Sequence, residues 1–152
     1  MLQLKIKQQL FELCKEFVDK RLQTVEEIIS SNQKALQSET KSSAGDKHET
    51  GRAMLQLEME KASQQLEGIS LMNQILSKID TSKTSNIAHL GSVIITEKAN
   101  YFLSISAGKL TACGNNYFAI SVSSPIGKLL LGKKENEEIV FNGNLIKIKE
   151  VF

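Results

Sequence analysis

Residues 22–36 read LQTVEEIISSNQKAL and space Leu22, Val25, Ile29, Asn32 and Leu36 by steps of three and four. Residues 55–79 read LQLEMEKASQQLEGISLMNQILSKI and do the same with Leu55, Met59, Ala62, Leu66, Ile69, Met72, Leu76 and Ile79. Such steps put these side chains on one stripe of an α-helix, the seam of a coiled coil. The two seams flank a polar stretch, Ser38-Glu-Thr-Lys-Ser-Ser-Ala-Gly-Asp46, which contains the first glycine of the chain, Gly45. Neither Pro nor Gly interrupts residues 1–44, and Lys, Glu, Gln and Leu, all good helix formers, dominate them. The pattern predicts an antiparallel coiled-coil hairpin over residues 1–80 with its tip near 38–50. Each arm of roughly 35 residues would extend about 50 Å at 1.5 Å per residue. Asn32 and Asn73 interrupt or flank the seams, and polar residues at such positions fix register.

Upstream, Ile6, Leu10, Leu13 and Phe17 form a similar run, and Cys14 and Val18 continue it in a shifted phase. Downstream, Asp80-Thr-Ser-Lys-Thr-Ser-Asn86 reads as a hydrophilic linker over 81–86, after which the texture changes. Residues 92–96, 100–106, 117–122, 138–141 and 145–151 read as strands. Asn142-Gly143 between the last two is a two-residue hairpin signal. A compressed turn is expected near Ala107–Asn116. Ser124-Pro-Ile-Gly-Lys-Leu-Leu-Leu-Gly132 reads as a short helix with a serine cap and Pro125 in its first turn. The class is therefore α+β: a helical hairpin followed by a small β-rich domain over 87–152.

The 152 residues carry 19 Lys and Arg against 17 Asp and Glu, a formal charge of +2. Residues 1–80 hold 11 bases and 12 acids, and residues 81–152 hold 8 lysines and 5 glutamates. Neither part is the dense polycation that phosphate contacts alone require. The opening MLQLKIKQQLFELCKEF mixes charge too finely for a signal peptide, and no apolar run approaches the 18 or so residues of a membrane span. Cys14 and Cys113 lie in different segments, which fits a reducing, cytoplasmic setting better than a disulfide.

The sharpest chemical feature is Gly45-Asp46-Lys47-His48-Glu49 at the expected tip. Asp46 and Glu49 are three apart; on a helix they share a face and can offer carboxylate oxygens to one hard cation. The same spacing is that of a capping box, with Asp46 as N-cap and Glu49 at the third helical position. Spacing alone leaves both readings open. Two carboxylates are an incomplete metal site and would need ligands from a partner. Lys41, Lys47 and Arg52 could steer the tip towards a negatively charged channel, or could be ordinary solvated bases. His48, His89, Cys14 and Cys113 match no compact zinc spacing, and Cys14 falls on an apolar helix face.

The residues also resemble the Gre family of bacterial transcript-cleavage factors. The resemblance rests on Ile120-Ser-Val-Ser-Ser-Pro-Ile-Gly-Lys-Leu-Leu-Leu-Gly-Lys-Lys134 with Glu137-Glu-Ile-Val140, on Gly91-Ser-Val93, and on Gly45-Asp46-x-x-Glu49, found in the family's order. It implies an FKBP-like C-terminal domain that docks on RNA polymerase through Ser124, Pro125, Ile126, Gly127 and Lys128. The hairpin would enter the polymerase secondary channel as a monomeric factor, with its tip near the nascent RNA 3′ end. There Asp46 and Glu49 would act as the catalytic pair by sharing Mg²⁺ with the polymerase. The factor would thus be no enzyme alone and have no cofactor of its own. Thr50-Gly51-Arg52-Ala53 departs from the family, which reads closer to Asn-Ala-Glu-Tyr there. That departure leaves room for a channel-binding regulator without cleavage activity. A structural adaptor whose tip acids are only a cap is the reading from outside the family.

Overall fold

A computed structural model describes the backbone of residues 1–41 and 45–152, and the side chains of all of these except 39–41 and 45–48. Helix α1 spans Leu2–Lys41 and helix α2 spans Gly45–Ser77, and together they form a long helical hairpin. Six strands and one short helix follow: β1 Val93–Thr96, β2 Asn100–Ser104, β3 Gly108–Ala112, β4 Asn115–Ser121, α3 Pro125–Leu130, β5 Glu138–Phe141 and β6 Asn144–Val151. The class is α+β, as the sequence predicts. The turn expected within 38–50 falls partly at 42–44, outside the described residues.

The chain divides into two compact units, Val18–Met72 and Met1–Phe17 with Asn73–Phe152. In the first unit, Val18, Val25 and Asn32 on α1 and Ala62 and Ile69 on α2 are buried at seven-residue steps. Leu22, Ile29, Leu36, Met59 and Leu66, the other edge of the expected seams, are only half-buried. A two-helix seam has no third element to cover that edge, so the heptad closes fully on one row alone. Asn73 is exposed and takes no place in the seam, whereas Asn32 is buried.

In the second unit, the strands form one mixed sheet in the order β3-β4-β2-β1-β6-β5. Only β2 and β4 run parallel, with Phe102 opposite Ala119 and Leu103 opposite Ile120. A β-bulge between Ile95 and Thr96 shifts the register of β1 on β6. One sheet face carries Ile94, Leu103, Ile146, Ile148 and Val151, which pack with Ile126 and Leu130 of α3. The other face carries Val93, Phe102, Ser104, Tyr117 and Ala119, all buried, and meets the first turns of α1. There the Cys14 thiol lies 3.6 Å from the Ser104 hydroxyl, and Gln9 Oε1 accepts from the Cys113 backbone N–H at 3.0 Å.

The stretch expected as a compressed turn near Ala107–Asn116 is instead the β3–β4 hairpin, which places β3 at the sheet edge. Its turn residues, Cys113 and Gly114, have φ of 50° and 82°, the same left-handed pair that Asn142 (51°) and Gly143 (77°) supply between β5 and β6. Asn-Gly announces that turn in the sequence; Cys-Gly does not, because cysteine has no side-chain amide to favour a left-handed conformation.

The seam makes one measurable statement. The Asn32 side-chain nitrogen is buried without a hydrogen-bond partner among the described residues, a loss of solvation that an apolar side chain avoids. Asn32→Leu is expected to raise stability by about 1–2 kcal/mol, seen as a higher urea midpoint at unchanged m-value. An unchanged or lower midpoint would mean that the amide is satisfied in solution.

Candidate functional site

Helix α2 begins at Gly45, so the backbone of Asp46 is already helical and Glu49 lies one turn further on. A cap residue has non-helical dihedrals, so this start does not put Asp46 in the N-cap position of the expected box. The two acids are three apart on a helical backbone, where neighbours at that spacing share a face. Glu49 and Arg52 are exposed. The side chains of Asp46, Lys47 and His48, and that of Lys41, lie outside the described residues. Among the described residues no group of three or more His, Cys, Asp or Glu could hold a metal ion. The donor type at 46 and 49 is right for Mg²⁺, which takes one or two carboxylates and keeps several waters.

The other predicted segment forms a tightly built corner. Ser124 has extended dihedrals (φ −68°, ψ 158°) and caps α3 by accepting from the Gly127 N–H at 3.1 Å. The same hydroxyl donates to the Ser121 carbonyl at 2.6 Å, tying the end of β4 to the start of α3. Pro125, the next residue, has no N–H to leave unsatisfied at the helix start. Gly127 is needed for a steric reason: a Cβ there would stand 2.1 Å from the Ser121 carbonyl oxygen. Of the five residues expected to bind a partner, Ile126 and Gly127 are buried and Ser124 is spent on the cap. Only Pro125 and Lys128 are exposed, beside Leu129 and Leu131. The sequence pattern could not separate the residues that build the corner from those that face outward, because both sets lie within one helical turn.

Cys14 and Ser92 are structural. Cys14 is fully buried, and burial pushes its thiol up to about 11, with the Ser104 hydroxyl acting slightly against that. His89 Nδ1 lies 3.0 Å from the Ser92 hydroxyl and 3.1 Å from the Ile87 carbonyl. Ser92 has no exposure, so its hydroxyl is out of a substrate's reach although His89 is exposed, and the pair serves as a clasp on the turn into β1. Cys113 is exposed at the tip of the β3–β4 hairpin.

No family model matches the chain, and no curated protein matches its sequence. Among solved structures the chain is similar to GreA factor homolog 1 of Thermus thermophilus, at 18% sequence identity and a TM-score of 0.35. That alignment covers 89% of this chain and 94% of the other. No described helix is long and apolar enough to cross a membrane.

Gly127→Ala should cost about 1–3 kcal/mol, the usual range for overpacking, whereas Lys128→Ala should leave the melting curve within about 0.5 kcal/mol of the parent. Equal melting temperatures for all three proteins would contradict the close approach at Gly127. A thiol reagent at pH 8 should modify Cys113 at once and Cys14 only after denaturation. Because the folded-state value of Cys14 is raised from 9.0 to about 11, its contribution to stability is complete below pH 9 and is lost as pH rises towards 11. Cys14→Ser should remove that part of the alkaline decline.

Proposed function

We propose that this chain is a Gre-type factor of bacterial RNA polymerase that promotes cleavage of backtracked RNA. The observation that carries the reading is the run Gly45-Asp46-Lys47-His48-Glu49 at the start of α2, the second arm of a long helical hairpin. The Ser124-Pro-Ile-Gly-Lys128 corner, which resembles the family's C-terminal signature, supports it independently. In this reading the β-rich domain is of the FKBP-like kind and docks through the exposed side of the corner, Pro125 and Lys128. The hairpin then brings Asp46 and Glu49 to the polymerase active centre, beside the RNA 3′ end. The two carboxylates supply oxygen ligands and negative charge; the polymerase supplies the other ligands. Mg²⁺ held between them would provide charge stabilisation for hydrolysis of a phosphodiester, as in two-metal sites. Lys47 and Arg52 would guide the tip into a negatively charged passage. The protein works as a soluble, cytoplasmic monomer and donates groups to another enzyme's site.

The run Thr50-Gly51-Arg52-Ala53 favours a second reading, a factor that occupies the channel without promoting cleavage. It differs from the family immediately beside the acids.

Stalled, backtracked elongation complexes incubated with the purified protein decide between the two. Shortened, extendable transcripts are expected with the parent chain. Asp46→Asn and Glu49→Gln should each sharply lower the cleavage rate and need more Mg²⁺ to recover it. Stability, read from the melting temperature, should hold within about 1 kcal/mol, since a first-turn carboxylate gains only roughly 0.3–1 kcal/mol from the helix dipole. Polymerase binding should survive in both variants. Binding without shortened transcripts would favour the non-cleaving regulator, and no binding at all would leave the structural adaptor.

A further inference from the structure

A cleft of about 360 Å³ lies between the first turns of α1 and the sheet face that α1 covers. Its walls are Leu2, Ile6, Ile95 and Phe152, and its polar lining is Gln3, Asn100, Asn115, Tyr117 and Glu150. These residues come from both ends of the chain and from four strands or strand ends, and they take no part in the site proposed above.

The hydrogen-bond inventory of this lining is one-sided. Gln3 Nε2 donates to Glu150 Oε1 at 2.6 Å. Asn100 Nδ2 donates to the Asn116 carbonyl at 3.2 Å. The Gln3 and Asn100 carboxamides therefore have their nitrogens engaged within the protein, and no described residue donates to their oxygens. Glu150 keeps a second carboxylate oxygen and carries the only charge in the lining; no Lys, Arg or His is present. Tyr117 is 2% exposed. Its phenol is pushed up by burial and, more weakly, by the charges of Cys113 and Glu150, which places Glu150 within electrostatic reach of the ring.

We propose that this cleft takes the guanidinium of an arginine side chain presented by a partner polypeptide. Guanidinium offers five N–H donors in a plane and no acceptor, the complement of a lining left with acceptors. Glu150 neutralises the charge, and the carboxamide oxygens take the remaining donors. Leu2 and Ile6 on one side and Ile95 on the other pack the arginine's methylene stem. A primary ammonium would satisfy the charge but not the planar set of acceptors. A neutral urea would satisfy the plane but not Glu150.

The test is an NMR titration of the intact, ¹⁵N-labelled protein with three blocked amino acids: N-acetyl-arginine methylamide and its lysine and citrulline counterparts. Arginine should give saturable shifts at Gln3, Asn100, Asn115 and Glu150, with lysine at least about fivefold weaker and citrulline weaker still. Glu150→Gln, which keeps the shape and an acceptor for Gln3, should weaken the arginine response about tenfold or more at unchanged melting temperature. Asn100→Lys, which sets a fixed cation at the rim, should abolish it and serves if Glu150→Gln fails to fold. An arginine-containing peptide that binds more tightly than the blocked amino acid supports the polypeptide source; equal affinities would make the occupant a free guanidine. Equal responses to arginine and citrulline, or an arginine response untouched by either substitution, would overturn the proposal.

Discussion

The face of the sheet opposite α3 is closed by a helix from the other end of the chain. Leu10 and Cys14 lose all exposure there, and Val93, Phe102, Ala119 and Phe152 are buried with them. Full burial of a large apolar side chain contributes about 1.5–3 kcal/mol, so this contact outweighs the ion pairs visible among the described residues, which lie at the surface. These pairs, Lys83 with Asp80 and Lys133 with Glu137, are long and exposed, and such pairs contribute little. Residues 87–152 therefore do not complete their own core; Met1–Phe17 belongs to the same compact unit. Polar groups pin the closure. The Lys7 ammonium, pushed down by burial and partly restored by Asp80, donates to the Lys83 carbonyl at 2.8 Å. The Thr81 hydroxyl donates to Gln8 at 3.0 Å. The linker after α2 is thus strapped to the first two turns of α1.

The same helix changes its manner of packing along its length. Ile6, Leu10, Cys14 and Val18 are buried at steps of four, and Val18, Val25 and Asn32 at steps of seven. A step of four advances the stripe around the helix, whereas a step of seven nearly returns to it. The first spacing meets a sheet and the second a single facing helix. The shift at Cys14 and Val18, visible in the sequence as a change of phase, is the point where α1 passes from one unit to the other.

How far the sequence could be read follows from how local each signal was. Heptads repeat, so the hairpin was legible from residues 22–36 and 55–79 alone. Asn142-Gly143 names its own turn, and Ser124-Pro125 its own cap. The β3–β4 hairpin was not legible: its strand starts with Gly108, has mostly exposed residues, and turns on Cys113-Gly114. Burial within the α3 corner was equally hidden. Ile126 and Lys128 differ in exposure because α3 packs on β5 and β4, a fact about distant strands. The acceptor-lined cleft lay beyond sequence reading for the same reason. Gln3 and Glu150 are 147 positions apart and meet only because β6 lies beside β1 with Glu150 opposite Ile95.

The acids at 46 and 49 show what a helix start can and cannot explain. Carboxylates in the first turn gain roughly 0.3–1 kcal/mol each from the helix dipole, enough to account for acidic residues there without any ligand. A cap, however, must sit before the helix, and α2 already includes Gly45. That leaves the pair as two like charges one turn apart, a spacing that is mildly unfavourable on a solvated helix. A bound divalent cation reverses the sign of that interaction, because it attracts both acids at once. Dipole stabilisation depends on the net charge of the turn and tolerates either acid being replaced singly. Chelation depends on both oxygens together, so removing one leaves the other with little affinity of its own. The physical distinction between a helix start and a metal-carrying tip is therefore the coupling between Asp46 and Glu49: near zero in the first case and large in the second.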